Sequence, residues 1–60
     1  MTPAAFRAIR SRIGFTQAGL AALLGYGHAV RISEFERGAR DIPHLAALVM
    51  LALDSGWRPE

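Results

Sequence analysis

Apolar residues recur along this chain at three- and four-residue intervals, and no segment alternates apolar and polar residues at the two-residue period of a half-buried strand. Thr2 followed by Pro3 predicts a cap and a first helical position, and Phe6, Ile9 and Ile13 then recur until Gly14. Arg7, Arg10 and Arg12 lie off that apolar line. Thr16 predicts the cap of a second helix, with Leu20, Leu23 and Leu24 as its buried stripe and Gly25 as its stop. Phe15, just before the cap, stands where a hydrophobic staple would meet Leu20. Gly19 sits in the first turn, where a capping box would want Glu, and is either a weak point or a place of close approach.

A third helix is predicted from about Ala29 to Arg37. Ile32 and Phe35 point together toward a core, Val30, Ser33, Glu34 and Arg37 occupy the opposite side, and Arg31 lies on the flank. Which of His28, Ala29 and Val30 caps this helix is open at the level of sequence. Pro43 can start a fourth helix, to about Asp54, before the tail 55–60. This helix is apolar nearly all round, and such a helix is buried on more than one side. With Leu45, Leu48, Leu51 and Ala52 turned to the core, Val49, Met50 and Leu53 are expected elsewhere on the circumference, against a second subunit. Trp57 either covers the domain's own core or joins that subunit contact.

Sixty residues are one domain, of a size that buries only about 60% of the surface its unfolded chain exposes. The expected architecture is all-α, a bundle of four helices with room for a fifth. There is no cysteine to staple it. His28 and His44 have no carboxylate at ligand spacing, so no metal or other cofactor is expected. The start of the chain has neither the basic lead nor the apolar run of a signal peptide, and Leu45 to Leu53 is too short to span a membrane. A cytoplasmic protein without a membrane partner is the expectation.

The net charge is +2, but its distribution changes the picture more than its size. Residues 1–31 hold Arg7, Arg10, Arg12 and Arg31 and no acid, a balance of +4. Residues 32–60 set Arg37, Arg40 and Arg58 against Glu34, Glu36, Asp41, Asp54 and Glu60, a balance of −2. The front half is expected to seek anions, and arginine suits bidentate phosphate and guanine contacts. Enzymatic classes fit poorly. The glycines of "GYGHAVRISEFERG" are neither followed by Lys-Ser/Thr nor preceded by a strand, so no nucleotide loop is present. Ser11, Ser33 and Ser55 have no base at matching helical spacing, and no catalytic residue or small-molecule site is expected.

Helix, tight turn, then a helix with a mixed outward face is the order of a helix-turn-helix, here about residues 16–37. Gln17, on the first turn of the second helix, can donate to a phosphate beside free backbone N–H groups. The run "FRAIRSRIGFTQAGLAALLGYGHAVRISEFERGARDIP" resembles the Cro/C1-type (XRE-family) helix-turn-helix domain of phage repressors and small bacterial regulators. The likeness covers about residues 3–53 and rests on joint spacing: Thr16-Gln17, the leucine stripe, Gly25, Ile32-Ser33 and the "ERG" of Glu36 to Gly38.

The resemblance implies a lambda-repressor-like fold and a homodimer that represses transcription, its own operon included, at a palindromic double-stranded DNA operator. Phage or mobile-element regulators, anti-CRISPR-associated ones among them, are the setting it suggests. Position by position, Gln17 matches a phosphate contact, His28, Ala29, Val30, Arg31, Ser33 and Glu34 the start of the recognition helix, and Arg37 and Arg40 backbone contacts. Glu36 matches a residue of an internal polar contact. Two features depart from the family: the turn before Ile32 is one residue longer, and Val30 stands where a polar base reader is common. Val30 can meet a thymine methyl, Arg31 a guanine O6/N7 edge, and Glu34 either cytosine N4 or a neighbouring Arg31 or Arg37. Val49, Met50, Leu53 and Trp57 are the expected dimer contacts. The alternative is a protein-interaction module, such as an antitoxin or accessory subunit, that uses the same apolar helix and tail.

Overall fold

Thr2 and Pro3 start the first helix as their chemistry dictates. In the computed structural model, which describes residues 1–60, α1 runs Pro3–Ile13, and the Thr2 hydroxyl accepts from the Ala5 N–H at 3.1 Å. Thr16 repeats the device for α2 (Gln17–Leu24), accepting from the Gly19 N–H at 2.9 Å. A Cβ on Gly19 would stand 3.1 Å from the Thr16 hydroxyl oxygen, so this glycine marks a close approach. Gly25 ends α2 at φ 84°, a left-handed conformation that lets its N–H reach back to the last carbonyls. After the turn Gly25 to Ala29 come α3 (Val30–Glu36) and then α4 (His44–Asp54). The chain is all-helical, with four helices and no strand, and no helix is long and apolar enough to cross a membrane.

The cap of α3 falls on Ala29, which offers no side-chain hydrogen bond, while His28 stays exposed in the turn. Ile32 and Phe35 are buried as their spacing predicts. Phe35 is the centre of the aromatic core: the Phe6 and Tyr26 rings meet it edge-on, each at 5.7 Å between centroids. Around it pack Ile9, Leu20, Ala21, Met50 and Leu53. Nine of the 60 residues are buried, so ties between helices outside the core carry weight.

Two such ties are bidentate ion pairs. Arg10 on α1 grips both oxygens of Glu36 at the end of α3 and donates from Nη1 to the Phe15 carbonyl at 2.9 Å. Arg12 donates to both Asp54 oxygens, each at 2.8 Å, and joins the last turns of α1 and α4.

The face that α4 turns inward is the reverse of the expected one. Ala46, Met50 and Leu53 are buried and Val49 half-buried against the core, whereas Leu45, Leu48 and Leu51 are 75%, 47% and 53% exposed. Met50 and Leu53 are therefore core residues of the single chain and not available to a second subunit. A helix apolar around its circumference gives no sign of its rotation; here Ala46, Met50 and Leu53, at i, i+4 and i+7, make the inner stripe. Trp57 is half-exposed and stands outside the core. Arg58 instead covers Phe15, its guanidinium 5.9 Å from the ring centroid, and donates to the Leu53 and Trp57 carbonyls at 2.9 and 2.7 Å.

This orientation of α4 predicts a contrast between two truncations. In urea unfolding of dilute protein, Met50→Ala should cost about 2–5 kcal/mol and Leu48→Ala no more than about 0.5 kcal/mol. Equal costs would contradict the assigned rotation.

Candidate nucleic-acid interface

Helical spacing places Val30, Ser33 and Arg37 in one line along α3 and its C-cap, and the Ser33 and Arg37 end of that line runs beside the start of α2 and the outer face of α1. Val30 and Arg37 are exposed and Ser33 half-buried. Between these elements lies a groove of about 200 Å³ with no hydrophobic residue in its lining, formed by Arg7, Arg10, Gln17, Ser33, Glu36 and Arg37. A second, shallower depression continues from it along α1 past Pro3, Ala4, Ala8 and Ser11.

The floor of the groove is the Glu36 carboxylate, whose side chain is 5% exposed. Besides Arg10 it accepts from the Gln17 amide, Nε2 to Oε1 at 3.1 Å. Burial acts to raise the Glu36 pKa, but the hydrogen bonds from Arg10 and Gln17, and the charges of Arg10 and Arg7, outweigh it and hold the carboxyl below its ordinary value. Glu36 thus makes the internal polar contact expected of it. Gln17 departs from the picture of a free amide: it is half-buried and already donates within the protein. Its amide nitrogen has one further hydrogen to offer the groove.

The arginines divide into two kinds. Arg10 and Arg12 are locked to Glu36 and Asp54, Arg31 and Arg40 both meet Glu34, and Arg58 serves the end of α4. Arg7 and Arg37 have no acidic partner, and both line the groove with Gln17 and Ser33. Sequence reasoning did not single out Arg7. It shares α1 with Arg10 and Arg12, and only the long-range pairing of those two separates it from them.

On the other flank of α3, a smaller depression is lined by Tyr26, Gly27, His28, Val30, Arg31 and Glu34. Arg31 lies over the Tyr26 ring, 5.5 Å from its centroid, and 3.3 Å from Glu34 Oε1. Of the expected recognition residues, then, Val30 and His28 are exposed, Ala29 is a half-buried cap, Ser33 and Arg37 face the polar groove, and Arg31 and Glu34 are paired. His28 and His44 lie on separate segments, and no three metal-binding side chains gather anywhere.

No protein-family model, no curated protein and no solved structure matches the chain. Function is therefore read from the residues themselves.

Glu36 and Asp54 give the fold an acid limit with a defined sign. At Asp54 the hydrogen bonds from Arg12 lead, outweighing desolvation, and hold that carboxyl low as well. Each group binds its proton less readily folded than unfolded, so its stabilisation is complete above the unfolded value and is lost as pH falls through the folded one. For Glu36 the melting temperature should be level down to about pH 5.5 and decline below its ordinary value near 4.5. Glu36→Gln should melt lower at neutral pH and decline less steeply in acid. A variant as acid-sensitive as the parent would assign the decline to other carboxyls.

Proposed function

We propose that this chain binds double-stranded DNA sequence-specifically, through a helix-turn-helix of α2 and α3, and acts as a homodimeric transcriptional repressor on a palindromic operator. The observation that carries the reading is the polar groove, where Arg7 and Arg37, the arginines held by neither an acid nor a carbonyl, converge with Gln17 and Ser33. Such a groove suits a phosphodiester: two guanidinium groups supply charge, and the amide and hydroxyl supply donors. Alongside it, the exposed Val30 at the start of α3, with Arg31 beside it, is suited to base edges in the major groove, Val30 to a thymine methyl and Arg31 to guanine.

Size and surface support the dimer. The longest extent of one chain is 29 Å, short of the roughly 34 Å between successive major-groove entries on one face of B-DNA, so one copy reads one half-site. Leu45, Leu48 and Leu51 form an exposed apolar ridge on α4, and Trp57 is half-exposed after it. Beside the ridge an apolar groove of about 300 Å³ is lined by Leu24, Tyr26, Pro43, Leu45, Ala46 and Val49. This ridge and groove replace Met50 and Leu53 as the subunit contact. Occupying promoter DNA would suffice for repression, and dimerisation would make occupancy depend steeply on protein concentration.

Selection of bound duplexes from a random pool is the test of this reading, and a palindrome in the product is the expected result. A failure to shift any duplex, together with a co-purifying protein, would favour an antitoxin or accessory subunit. On the selected duplex and a scrambled one, Arg7→Ala and Arg37→Ala should weaken binding alike and reduce the salt slope by about 0.9 each. Arg31→Ala should lower mainly the ratio between the two affinities. Leu48→Glu should sediment as a monomer where the parent is a dimer; a parent that sediments as a monomer at all concentrations would remove the homodimer.

A further inference from the structure

One oxygen of Glu34 takes both remaining cations of the α3 region. Arg31 Nε stands 3.3 Å from Glu34 Oε1, and Arg40 Nε donates to the same oxygen at 3.4 Å. The Arg31 guanidinium is held from a second side by the Tyr26 ring, which is itself fixed edge-on against Phe35. The second Glu34 oxygen has no hydrogen-bond partner. These pairs are longer than those of Arg12 with Asp54, and both arginine side chains are 41–50% exposed, so the arrangement is ordered but easily exchanged.

Resting on the DNA-binding reading above, we propose that Glu34 is a specificity determinant that withholds Arg31 and Arg40 from phosphates and yields Arg31 where a base pair can serve both partners. A phosphate offers an arginine charge and acceptors, but it has no donor for the carboxylate left behind and repels it. A G·C pair offers acceptors to the arginine at guanine O6 and N7, and a donor to the carboxylate at cytosine N4. Exchange at such a pair satisfies both side chains, whereas exchange at a phosphate strips Glu34 of one of its two cations and sets an anion beside it. Nonspecific binding then falls to Arg7 and Arg37 alone, and sequence preference is gained by suppressing the wrong complex as well as by stabilising the right one.

The test is a salt titration on the selected duplex and on a scrambled one, with the parent, Glu34→Gln, Glu34→Gln/Arg40→Ala and Asp41→Asn. Asp41 is an exposed acid with no ion-pair partner, so its variant removes the same charge without freeing an arginine. Glu34→Gln should bind the scrambled duplex about tenfold tighter at 0.1 M salt and steepen the salt slope there by up to about 1.8. The double variant should recover about half of that change in slope, and Asp41→Asn should keep the parent slope. Circular dichroism establishes that each variant is folded. A scrambled-duplex slope in Glu34→Gln equal to the parent's overturns the proposal, as does an equal rise in Asp41→Asn. A parent that binds no duplex overturns the DNA-binding reading itself, and this proposal with it.

Discussion

The pairing of Arg10 with Glu36 is the constraint on which the other arrangements rest. One guanidinium on α1 holds both oxygens at the end of α3 and the Phe15 carbonyl ahead of α2, and the same carboxylate then takes the Gln17 amide. Three helices are therefore fixed around one nearly buried charge. The desolvation this entails is offset only because the geometry is bidentate and no buried side-chain polar atom is left without a partner. Loss of either partner would leave an uncompensated charge under the groove, so the pair fixes how α3 sits and its disruption costs stability. Phe6, Phe35 and Tyr26 supply the apolar counterpart on the inner side of α3.

Folding also rewrites the charge pattern of the chain. Along the sequence, the first half is basic and the second acidic. In three dimensions the acids of the second half return to the arginines of the first: Glu36 to Arg10, Asp54 to Arg12 and Glu34 to Arg31. Apart from Arg58, whose guanidinium is held by the Leu53 and Trp57 carbonyls, what remains is not a diffuse positive surface but two unpartnered cations, Arg7 and Arg37, in one polar groove. Positive charge is thus concentrated at a place rather than spread as a field, and that is the property the proposed phosphate contact needs to set register.

Features that depend on residues a few positions apart are legible in the amino-acid sequence. The Thr2 and Thr16 caps, the stops at Gly14 and Gly25, and the inward pair Ile32 and Phe35 all rest on local backbone chemistry and helical period. Two things are hidden there, for different reasons. The rotation of α4 cannot be read because its apolar residues surround the axis, so either stripe satisfies the pattern, and only the space left by the other helices selects Met50 over Leu48. The identity of the free arginines cannot be read because Arg7, Arg10 and Arg12 share one helix and all lie off its apolar line. Partners 26 and 42 residues away separate them, and no short-range pattern carries that information.

The two kinds of carboxylate bring the fold and the interface together. Glu36 is nearly buried, bidentate and shared by two donors, so exchanging its partners would disturb the packing of α1, α2 and α3. Glu34 lies two residues earlier on the same helix, more exposed and with longer contacts, and can exchange partners without disturbing any helix. Position on α3 sorts them: Glu36 lies one turn beyond Ser33 on the flank that faces α1 and α2, whereas Glu34 lies one turn beyond Val30 on the other flank. A chain with so small a core cannot devote many charges to stability alone. Placing one acid to fix α3 and the other to govern which cations α3 exposes lets a single seven-residue helix carry both tasks.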